Sequence, residues 1–266
     1  MTDCHCHVNW LDMDIDAWAA HFRNLGIDRV WVLGWEEWDR RLKGEYELPT
    51  TDCLEAAARY PDLFVPFCSI DPREDNVPQR IKDYVAQGCK GFGEFKVRLC
   101  IDNPDSKVVY RTCAELGLPI LFHMDVWLPD VSYWYNVDCR RLPAVLEEFP
   151  DTVFIGHGPG FWREISGDAD ESPSVYPEGP VRPGGRLPAL LAHYGNLHAD
   201  ISAGSGRNAL ARDPEFGRQF IIDFSHRLLY GTDYFDRAHL DLLESYDLPP
   251  EVFHAVTEGN SRKLVP

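Results

Sequence analysis

The sequence predicts an α/β fold, a (β/α)8 TIM barrel formed by residues 1–266 as a single domain. Eight short apolar, β-rich segments alternate along the chain with segments whose apolar residues recur at helical spacing. A length of 266 residues suits a single-domain α/β barrel, and no linker or internal repeat indicates a second domain. An open, doubly wound sheet would share this alternation and is the alternative fold.

Each predicted strand is a short run of β-branched, aromatic or aliphatic residues bounded by turn residues. The eight predicted strands are Thr2–Val8, Arg29–Gly34, Leu63–Ile70, Gly88–Lys96, Leu118–Asp125, Thr152–Gly158, Asn196–Ser202 and Arg227–Asp233. The clearest helical patterns between them are Ile15–Leu25, Cys53–Tyr60, Ile81–Ala86, Val108–Leu116, Leu142–Phe149 and Phe216–Phe224.

Glycine and proline mark the turns that lead from helices back into strands. Gly26, Pro61, Gly117 and Pro150 each follow a predicted helix within one or two residues, as helix stop signals do. The longest irregular stretch, residues 159–185, follows the sixth strand and is rich in glycine, proline and acidic residues. It is interpreted as a lid-like loop, with a solvated insertion as the alternative.

The composition restricts the classes of partner. The formal net charge is −17, which argues against nucleic acid or an anionic membrane as the main partner, because both attract clustered lysine and arginine. No apolar run approaches the roughly 20 residues of a membrane span. A small-molecule substrate is therefore expected. The assembly is open; if the chain associates, a homodimer is the default expectation, since two-fold dimers are the commonest oligomers.

The eight cysteines are interpreted as buried thiols rather than disulfides. Most lie within apolar strand or helix patterns, and the first predicted strand begins at Thr2, with no secretory segment before it. A reducing compartment follows from this interpretation. The expected location is the cytoplasm.

Polar side chains stand at the C-terminal ends of five predicted strands, where barrel enzymes place their catalytic groups. The first strand ends with His5 and His7, which alternate on one face together with Asp3, while Cys4 and Cys6 face the other way. The remaining groups are Glu94 with Lys96 on the fourth strand, His123 on the fifth, His157 on the sixth and Asp233 on the eighth.

Imidazole and carboxylate groups on converging strands are suitable ligands for Zn²⁺ or a similar divalent ion such as Mn²⁺. A lone histidine would more often be a core residue, but agreement among five strand ends favours a metal site. The other six histidines are interpreted as structural because five fall in helical stretches and one lies early in its strand; they are His21, His193, His198, His226, His239 and His254.

With these residues in this order, the chain resembles the amidohydrolase superfamily. It is most similar to the amidohydrolase-related branch, which begins at the first barrel strand without a flanking β-sandwich domain. That branch often closes with a helix carrying an Asn-containing motif, here Glu258 to Leu264. The resemblance covers nearly the whole chain, and the branch contains hydrolases, lactonases, nonoxidative decarboxylases and hydratases.

The resemblance implies the ligand set. It makes His5, His7, His123 and Asp233 ligands of one metal ion and places Glu94 where two-metal members have a bridging ligand. His157 then either ligates a second ion or acts on the substrate or water. Because Glu94 replaces the carboxylated lysine of many relatives, with Lys96 two residues later, the number of ions stays open; one zinc ion is favoured.

The same set suggests two reactions. In the favoured one, a water activated by the metal attacks an amide, ester or lactone carbonyl; Asp233 accepts the proton of the water and His157 polarises the carbonyl. In the alternative, the metal holds an aromatic or enoic acid that loses CO₂. A barrel that binds metal without catalysis is a third hypothesis, which the intact set of polar groups disfavours.

A flat anionic substrate would suit the cations and aromatic residues near these strand ends. Those selected are Lys96, Arg98, Trp127, Trp162 and Arg163, with Tyr133, Trp134, Tyr135 and Phe161 nearby. The alternative is that the aromatic residues only pack the top of the barrel.

Three further polar residues have expected roles. Asp3 is expected to orient an imidazole through its second nitrogen. Asp200 and Ser202 alternate on the seventh strand, and Ser202 opens a predicted flexible turn, Ala203-Gly204-Ser205-Gly206. This turn either meets the substrate or, in the favoured interpretation, is only a polar loop entry with Asp200 bonded inside the barrel.

Overall fold

The computed structural model describes residues 1–36, 48–126, 135–172 and 174–266. In these residues, eight parallel strands form one sheet in the order β1 to β8. Their bounds are β1 Thr2–Cys6, β2 Arg29–Val32, β3 Phe64–Cys68, β4 Gly91–Phe95, β5 Ile120–His123, β6 Phe154–His157, β7 Leu197–Asp200 and β8 Leu228–Leu229. The predicted TIM barrel is thereby confirmed.

The first and last strands come together through backbone hydrogen bonds. The N–H of Cys4 donates to the carbonyl of Tyr230 at 2.9 Å, and the N–H of Asp233 donates to the carbonyl of His5 at 2.9 Å. Both bonds join β1 to the chain that follows β8, so the sheet curves into a nearly closed barrel. All eight strands then end at one rim.

The helices lie between the strands. They are α1 Ile15–Asn24, α2 Thr50–Arg59, α3 Val77–Ala86, α4 Pro104–Leu116, α5 Leu142–Glu148, α6 Pro159–Trp162, α7 Arg186–His193, α8 Ala203–Ala211, α9 Pro214–Asp223, α10 Ala238–Ser245, α11 Pro250–His254 and α12 Asn260–Leu264. Short 3₁₀ turns occupy Cys139–Arg141 and Arg163–Ile165, and a π-helical turn occupies Ala255–Gly259. Among the described helices, none combines the length and apolarity needed to cross a membrane.

Apolar side chains pack in two layers. A small cluster fills the barrel interior and a larger one lies between the strands and the surrounding helices. The interior cluster consists of Cys4, Trp31, Leu33, Phe67, Leu121, Ile155, Leu229 and Val265. Because these residues fill the barrel below its C-terminal rim, the polar strand ends rest on an apolar floor.

The predicted alternation in β1 is wrong at Cys4. Cys4 packs in the interior cluster, whereas Cys6 packs in the outer one. The pairing of β1 with β2 is irregular between Asp3 and Cys6. Such an irregularity breaks the period of two along a strand, so side-chain direction cannot be read across it.

Other segments also differ from the prediction. The helices α3 and α4 begin four residues before their predicted starts, and each has a proline in its first turn, Pro78 and Pro104, where the missing N–H is tolerated. The predicted flexible turn at residues 203–206 is the first turn of α8. The stretch 159–185 is not entirely irregular, since it contains α6 and the 3₁₀ turn Arg163–Ile165.

The first testable prediction concerns Gly91 in β4. A Cβ atom at this position would lie 2.1 Å from the ring of Phe67, which is fully buried and stacks on Trp31 with ring centroids 4.9 Å apart. We therefore expect Gly91→Ala to destabilise the protein by about 1–3 kcal/mol, measured by urea unfolding. The control is Gly195→Ala, an exposed position where the nearest atom is 3.6 Å away. Equal stabilities of the two variants would contradict this account of the interior packing.

The second prediction concerns the contribution of His198 to the loss of folding stability at acidic pH. Burial, with a smaller contribution from Arg227, lowers the pKa of His198 to about 3. The unfolded chain, in which the pKa of histidine is about 6.5, then binds more protons between pH 6.5 and 3, so the folded state loses stability as the pH falls through this window. His198→Leu should remove about 2 kcal/mol of the stability difference between pH 7 and pH 5, measured by urea unfolding. The control is His193→Leu at an exposed position, which should keep the wild-type difference in stability between pH 7 and pH 5. If His198→Leu also kept that difference, the prediction would be contradicted.

Candidate metal centre

His5 and His7 are held with one ring nitrogen each directed to the centre of the barrel rim. The Nδ1 of His5 donates to Asp200 Oδ2 at 2.7 Å, and the Nδ1 of His7 donates to the carbonyl of Leu33 at 2.9 Å. A proton on Nδ1 leaves Nε2 with its lone pair. Both Nε2 atoms lie 3.5 Å from Asp233 Oδ1, so two imidazole donors and a carboxylate converge.

Glu94, at the end of β4, directs its two carboxylate oxygens to different histidines. Oε2 lies 3.4 Å from His7 Nε2, while Oε1 lies 2.7 Å from His123 Nδ1 and 4.0 Å from His157 Nε2. Its side chain is only 3% exposed. Glu94 therefore stands between the histidines of β1 and those of β5 and β6.

His123 and His157 end neighbouring strands and are paired in register, with ring centroids 5.3 Å apart. The second nitrogen of His123, Nε2, lies 2.9 Å from Asp125 Oδ1. His157 Nδ1 lies 3.0 Å from Asp200 Oδ2, and its Nε2 is 3.9 Å from Asp233 Oδ2. The structure thus brings together all six residues that the sequence predicts as ligands.

The charges of this cluster shift the pKa values of its members. Burial lowers the pKa of His5, but the charges of Asp233 and Asp200 outweigh it and raise the pKa to about 10. Burial opposes ionisation of Glu94, yet Lys96 and His123 hold the pKa of its carboxyl well below the usual range. For His157, burial and the charge of His5 lower the pKa. The buried carboxylates therefore favour the binding of positive charge within this cluster.

The donor set fits a divalent cation. Ligand atoms lie within 4.8 Å of one another in three overlapping groups: His5, His157 and Asp233; His5, His7 and Glu94; Glu94, His123 and His157. The Nε2 of His5 is buried and has no hydrogen-bond partner. The raised pKa of His5 means that a metal ion would replace a proton on this nitrogen, and a buried imidazole that faces carboxylates is suited to that exchange. None of the six histidines predicted to be structural belongs to these groups in the described part of the chain.

Lys96 is the nearest predicted substrate-binding cation. Its Nζ lies 4.5 Å from the ring centroid of Trp35 and 5.4 Å from that of Tyr135. Burial lowers the pKa of Lys96, but Glu94, Asp233 and Asp125 outweigh it and raise the pKa. Lys96 is therefore a fixed positive charge beside the carboxylates. Arg98 lies farther along the same segment, with its guanidinium carbon 5.7 Å from the Tyr135 ring.

Aromatic side chains line the opening of the site. Trp10 contacts the ring of His7 at a centroid distance of 5.2 Å and that of Tyr234 at 5.7 Å. Large apolar or aromatic side chains that are exposed in the described residues all follow β1, β6 or β8; they are Leu11, Tyr176, Tyr234 and Phe235. All four therefore belong to loops on the C-terminal rim, where apolar exposure indicates a binding surface.

Two predicted substrate-binding residues do not reach the metal-binding groups. Trp162, expected to face the substrate, is only 1% exposed, and its Nε1 donates to the backbone carbonyl of Asp200 at 2.8 Å. Arg163 is also buried, and its guanidinium donates to the carbonyls of Ala169 and Ser172. It lines a neighbouring cavity of about 540 Å³ that also includes Asp125.

The prediction for Trp127 lies outside the described residues, as do Tyr133 and Trp134. Tyr135, from the same predicted aromatic loop, is described and packs beside Lys96. Phe161 is fully buried and contacts Phe122, so it packs the barrel instead of lining the opening.

The prediction for Asp3 is also wrong. Its Oδ1 accepts the backbone N–H of His5 at 2.9 Å, and its Oδ2 accepts the hydroxyl of Thr232 at 2.8 Å. Asp200 and a backbone carbonyl orient the imidazoles of β1 instead. Sequence reasoning underestimated Asp200 and missed Asp125 and Trp35; their only signal was a position at the end of a predicted strand.

Comparison with known protein families agrees with the resemblance seen in the sequence. An amidohydrolase family model matches residues 2–266. The chain belongs to the amidohydrolase family. Among curated proteins, no match was found.

Solved amidohydrolase-type structures show the same fold at low sequence identity. A probable 2-pyrone-4,6-dicarboxylic acid hydrolase from Acinetobacter baumannii is 14% identical, with a TM-score of 0.63 over 99% of this chain and 98% of that one. The 2,6-dihydroxybenzoate decarboxylase from Rhizobium is 15% identical, with a TM-score of 0.61 over the same shares. The 5-carboxyvanillate decarboxylase from Sphingomonas paucimobilis is 13% identical, with a TM-score of 0.59 over 93% of this chain and 81% of that one.

The third prediction concerns metal binding. We expect the purified wild type to hold divalent metal, measured by elemental analysis, and His5→Ala to lose it, because His5 belongs to two of the three ligand groups. The matched control is His193→Ala, an exposed histidine on α7, which should retain the wild-type content. A wild type that takes up neither zinc nor manganese on reconstitution would rule out the metal centre.

Proposed function

We propose that this amidohydrolase is a metal-dependent hydrolase in which an activated water attacks the carbonyl of an ester, lactone or amide. The observation that carries the proposal is the position of Glu94. Its two oxygens face two separate sets of histidine nitrogens, His7 at 3.4 Å on one side and His123 at 2.7 Å on the other. A carboxylate in this position suits the binding of cations that activate water.

The residues that would hold the metal are the six that converge at the rim. His5, His7, Glu94 and Asp233 form one set, and Glu94, His123 and His157 form the other. Because both sets share Glu94, the arrangement supports two ions more than the single ion favoured from sequence. Nitrogen and carboxylate donors favour zinc, with manganese as the alternative. A bound metal ion polarises a carbonyl and lowers the pKa of water to about 7.

Asp233 is the proton acceptor in this proposal. Its side chain is 13% exposed and is the most accessible carboxylate among the predicted ligands. Its two oxygens lie between the histidines of β1 and His157. Asp233 can therefore take a proton from water and deliver it to the leaving group. A neutral His157 with its proton on Nδ1 has only an accepting Nε2, so it suits a metal ligand better than the predicted role of polarising the carbonyl.

The substrate is proposed to carry a carboxylate and an apolar body. Lys96 supplies a fixed positive charge close to the reacting groups. Trp10 and Tyr234 form an aromatic wall from His7 to the opening. A small organic acid ester, lactone or amide would satisfy both surfaces, with its distal part towards the cavity that Arg163 lines.

Decarboxylation of an aromatic acid is the second candidate. The observation that favours it is the same pairing of Lys96 with aromatic walls, which would hold the plane and the charge of such an acid. Two of the similar solved structures are named as decarboxylases of aromatic acids. The release of CO₂ distinguishes this candidate from hydrolysis.

We further propose a cytoplasmic location and a small-molecule substrate as the principal partner. Support comes from the cysteines, all eight of which are free thiols in the structure. A homodimer stays the expectation for any assembly.

The fourth prediction tests the reaction. Zinc-loaded and manganese-loaded protein would be assayed with carboxylate-bearing esters, lactones and anilides, with their neutral counterparts, and with hydroxybenzoates, following acid release and CO₂ separately. We expect acid release without CO₂, and a fall in kcat of about 10²- to 10⁴-fold in Asp233→Asn, because a positioned proton acceptor contributes that much. Asp236→Asn is the control, since Asp236 is exposed and accepts the backbone N–H of Ala238.

Lys96→Met tests the substrate class in the same assay. It should raise KM about 10- to 100-fold for the carboxylate-bearing substrates, because hydrogen bonds to charged groups contribute about 1.5–3 kcal/mol. KM for the neutral counterparts should not change. CO₂ release from the hydroxybenzoates alone would replace hydrolysis by the second candidate, and turnover of none of the compounds would contradict both.

A further inference from the structure

Asp200, at the end of β7, contacts both halves of the candidate site. Its Oδ2 accepts from His5 Nδ1 at 2.7 Å and lies 3.0 Å from His157 Nδ1. The same oxygen accepts the hydroxyl of Ser202 at 2.8 Å, and Oδ1 accepts the backbone N–H of Ser202 at 2.8 Å. Its side chain is fully buried, so one carboxylate serves two imidazoles without competing water.

The two imidazoles belong to different parts of the proposed machinery. His5 on β1 belongs to the ligand set with His7 and Glu94, whereas His157 on β6 belongs to the set with Glu94 and His123. Their rings lie 4.4 Å apart. His5 Nδ1 donates directly to Asp200, whereas His157 Nδ1 lies 3.1 Å from Ser202 Oγ as well as 3.0 Å from Asp200 Oδ2. Because the Ser202 hydroxyl donates its own proton to Asp200, its oxygen can accept the Nδ1 proton of His157. Each Nε2 then faces Asp233, at 3.5 Å from His5 and 3.9 Å from His157.

We propose that Asp200 is a positioning residue that fixes the Nδ1–H tautomer of His5 and His157 together, and so couples the two sets of metal ligands. This inference rests on the proposed function for the two ligand sets. Its structural part, one carboxylate that sets two tautomers, is independent of the reaction.

The surroundings of Asp200 hold it in place. Trp162 donates its indole N–H to the backbone carbonyl of Asp200 at 2.8 Å. A Cβ atom at Gly231 would lie 3.0 Å from both Asp200 Oδ1 and His5 Cβ, which is tight for any larger residue. Trp162 therefore acts on the site through Asp200, and Gly231 leaves the space that the carboxylate and His5 occupy.

An amide cannot replace this carboxylate. Asparagine has one accepting oxygen and one N–H₂ group that only donates. With Asp200→Asn, keeping the bond from the Ser202 backbone N–H places the N–H₂ group at the Oδ2 position, against His5 Nδ1 and the Ser202 hydroxyl. His5, and His157 through Ser202, would then be free to take the other tautomer, with the proton on Nε2. That proton would block a metal at either imidazole.

The test compares Asp200→Asn with Asp3→Asn, which removes another fully buried carboxylate of the same barrel. Asp3 contacts the backbone N–H of His5 and the hydroxyl of Thr232 but no imidazole in its hydrogen bonds. Zinc affinity would be measured by competition with a chelator, and the histidine ring ¹⁵N shifts of the zinc-loaded proteins by NMR.

The expected result is a 10- to 100-fold weaker zinc affinity in Asp200→Asn, as for other carboxylates that orient metal-binding histidines, with changed ring shifts for His5 and His157. Asp3→Asn should keep both rings in the wild-type state. An equal loss of zinc affinity in the two variants, or unchanged ring shifts in Asp200→Asn, would overturn the proposal.

The proposal can still be tested if Asp200→Asn fails to fold. In zinc-loaded wild type, the ring shifts must show Nδ1–H for both His5 and His157; an Nε2–H signal from either overturns the proposal directly. Absence of hydrolysis across the substrate panel would instead overturn the proposed function, and the ring and affinity measurements would still report on Asp200.

Discussion

The hydrogen bond from the backbone N–H of Asp233 to the carbonyl of His5 is the contact on which the site depends. At 2.9 Å it joins the chain after β8 to β1, so it helps to close the barrel. It also sets the Asp233 carboxylate 3.5 Å from the Nε2 atoms of His5 and His7. Residues more than 220 positions apart thus become neighbours, and the rim can gather side chains from six strands.

The rim concentrates charge that an apolar barrel would otherwise exclude. Burying a carboxylate costs several kcal/mol unless hydrogen bonds and opposite charges compensate it. Here Asp200 is compensated by two imidazoles and Ser202, and Glu94 by His123 and Lys96. Compensation of this kind adds little net stability, so the arrangement is better explained by the chemistry that it permits.

Most of the fold, and the polar side chains that converge at the rim, could be predicted from sequence, because period-two and period-3.6 patterns are local and strand ends in a barrel meet at one rim. Contacts between distant residues could not. The sequence predicts that Asp200 is bonded inside the barrel, but it does not reveal the partners, His5 and His157, because they lie 195 and 43 positions away. Trp162 is predicted as a lid residue, whereas its buried indole N–H donates to the carbonyl of Asp200.

The sequence by itself determined the eightfold alternation, the polar residue at each relevant strand end and, through them, the amidohydrolase family. Only the tertiary structure decided which nitrogen of each imidazole faces the centre, how Glu94 divides its oxygens and which carboxylate orients which histidine. The physical reason is that residue type limits what a side chain can bind, whereas its actual partner depends on strand register. That register shifts within β1 itself, between Asp3 and Cys6, where no local pattern reveals it.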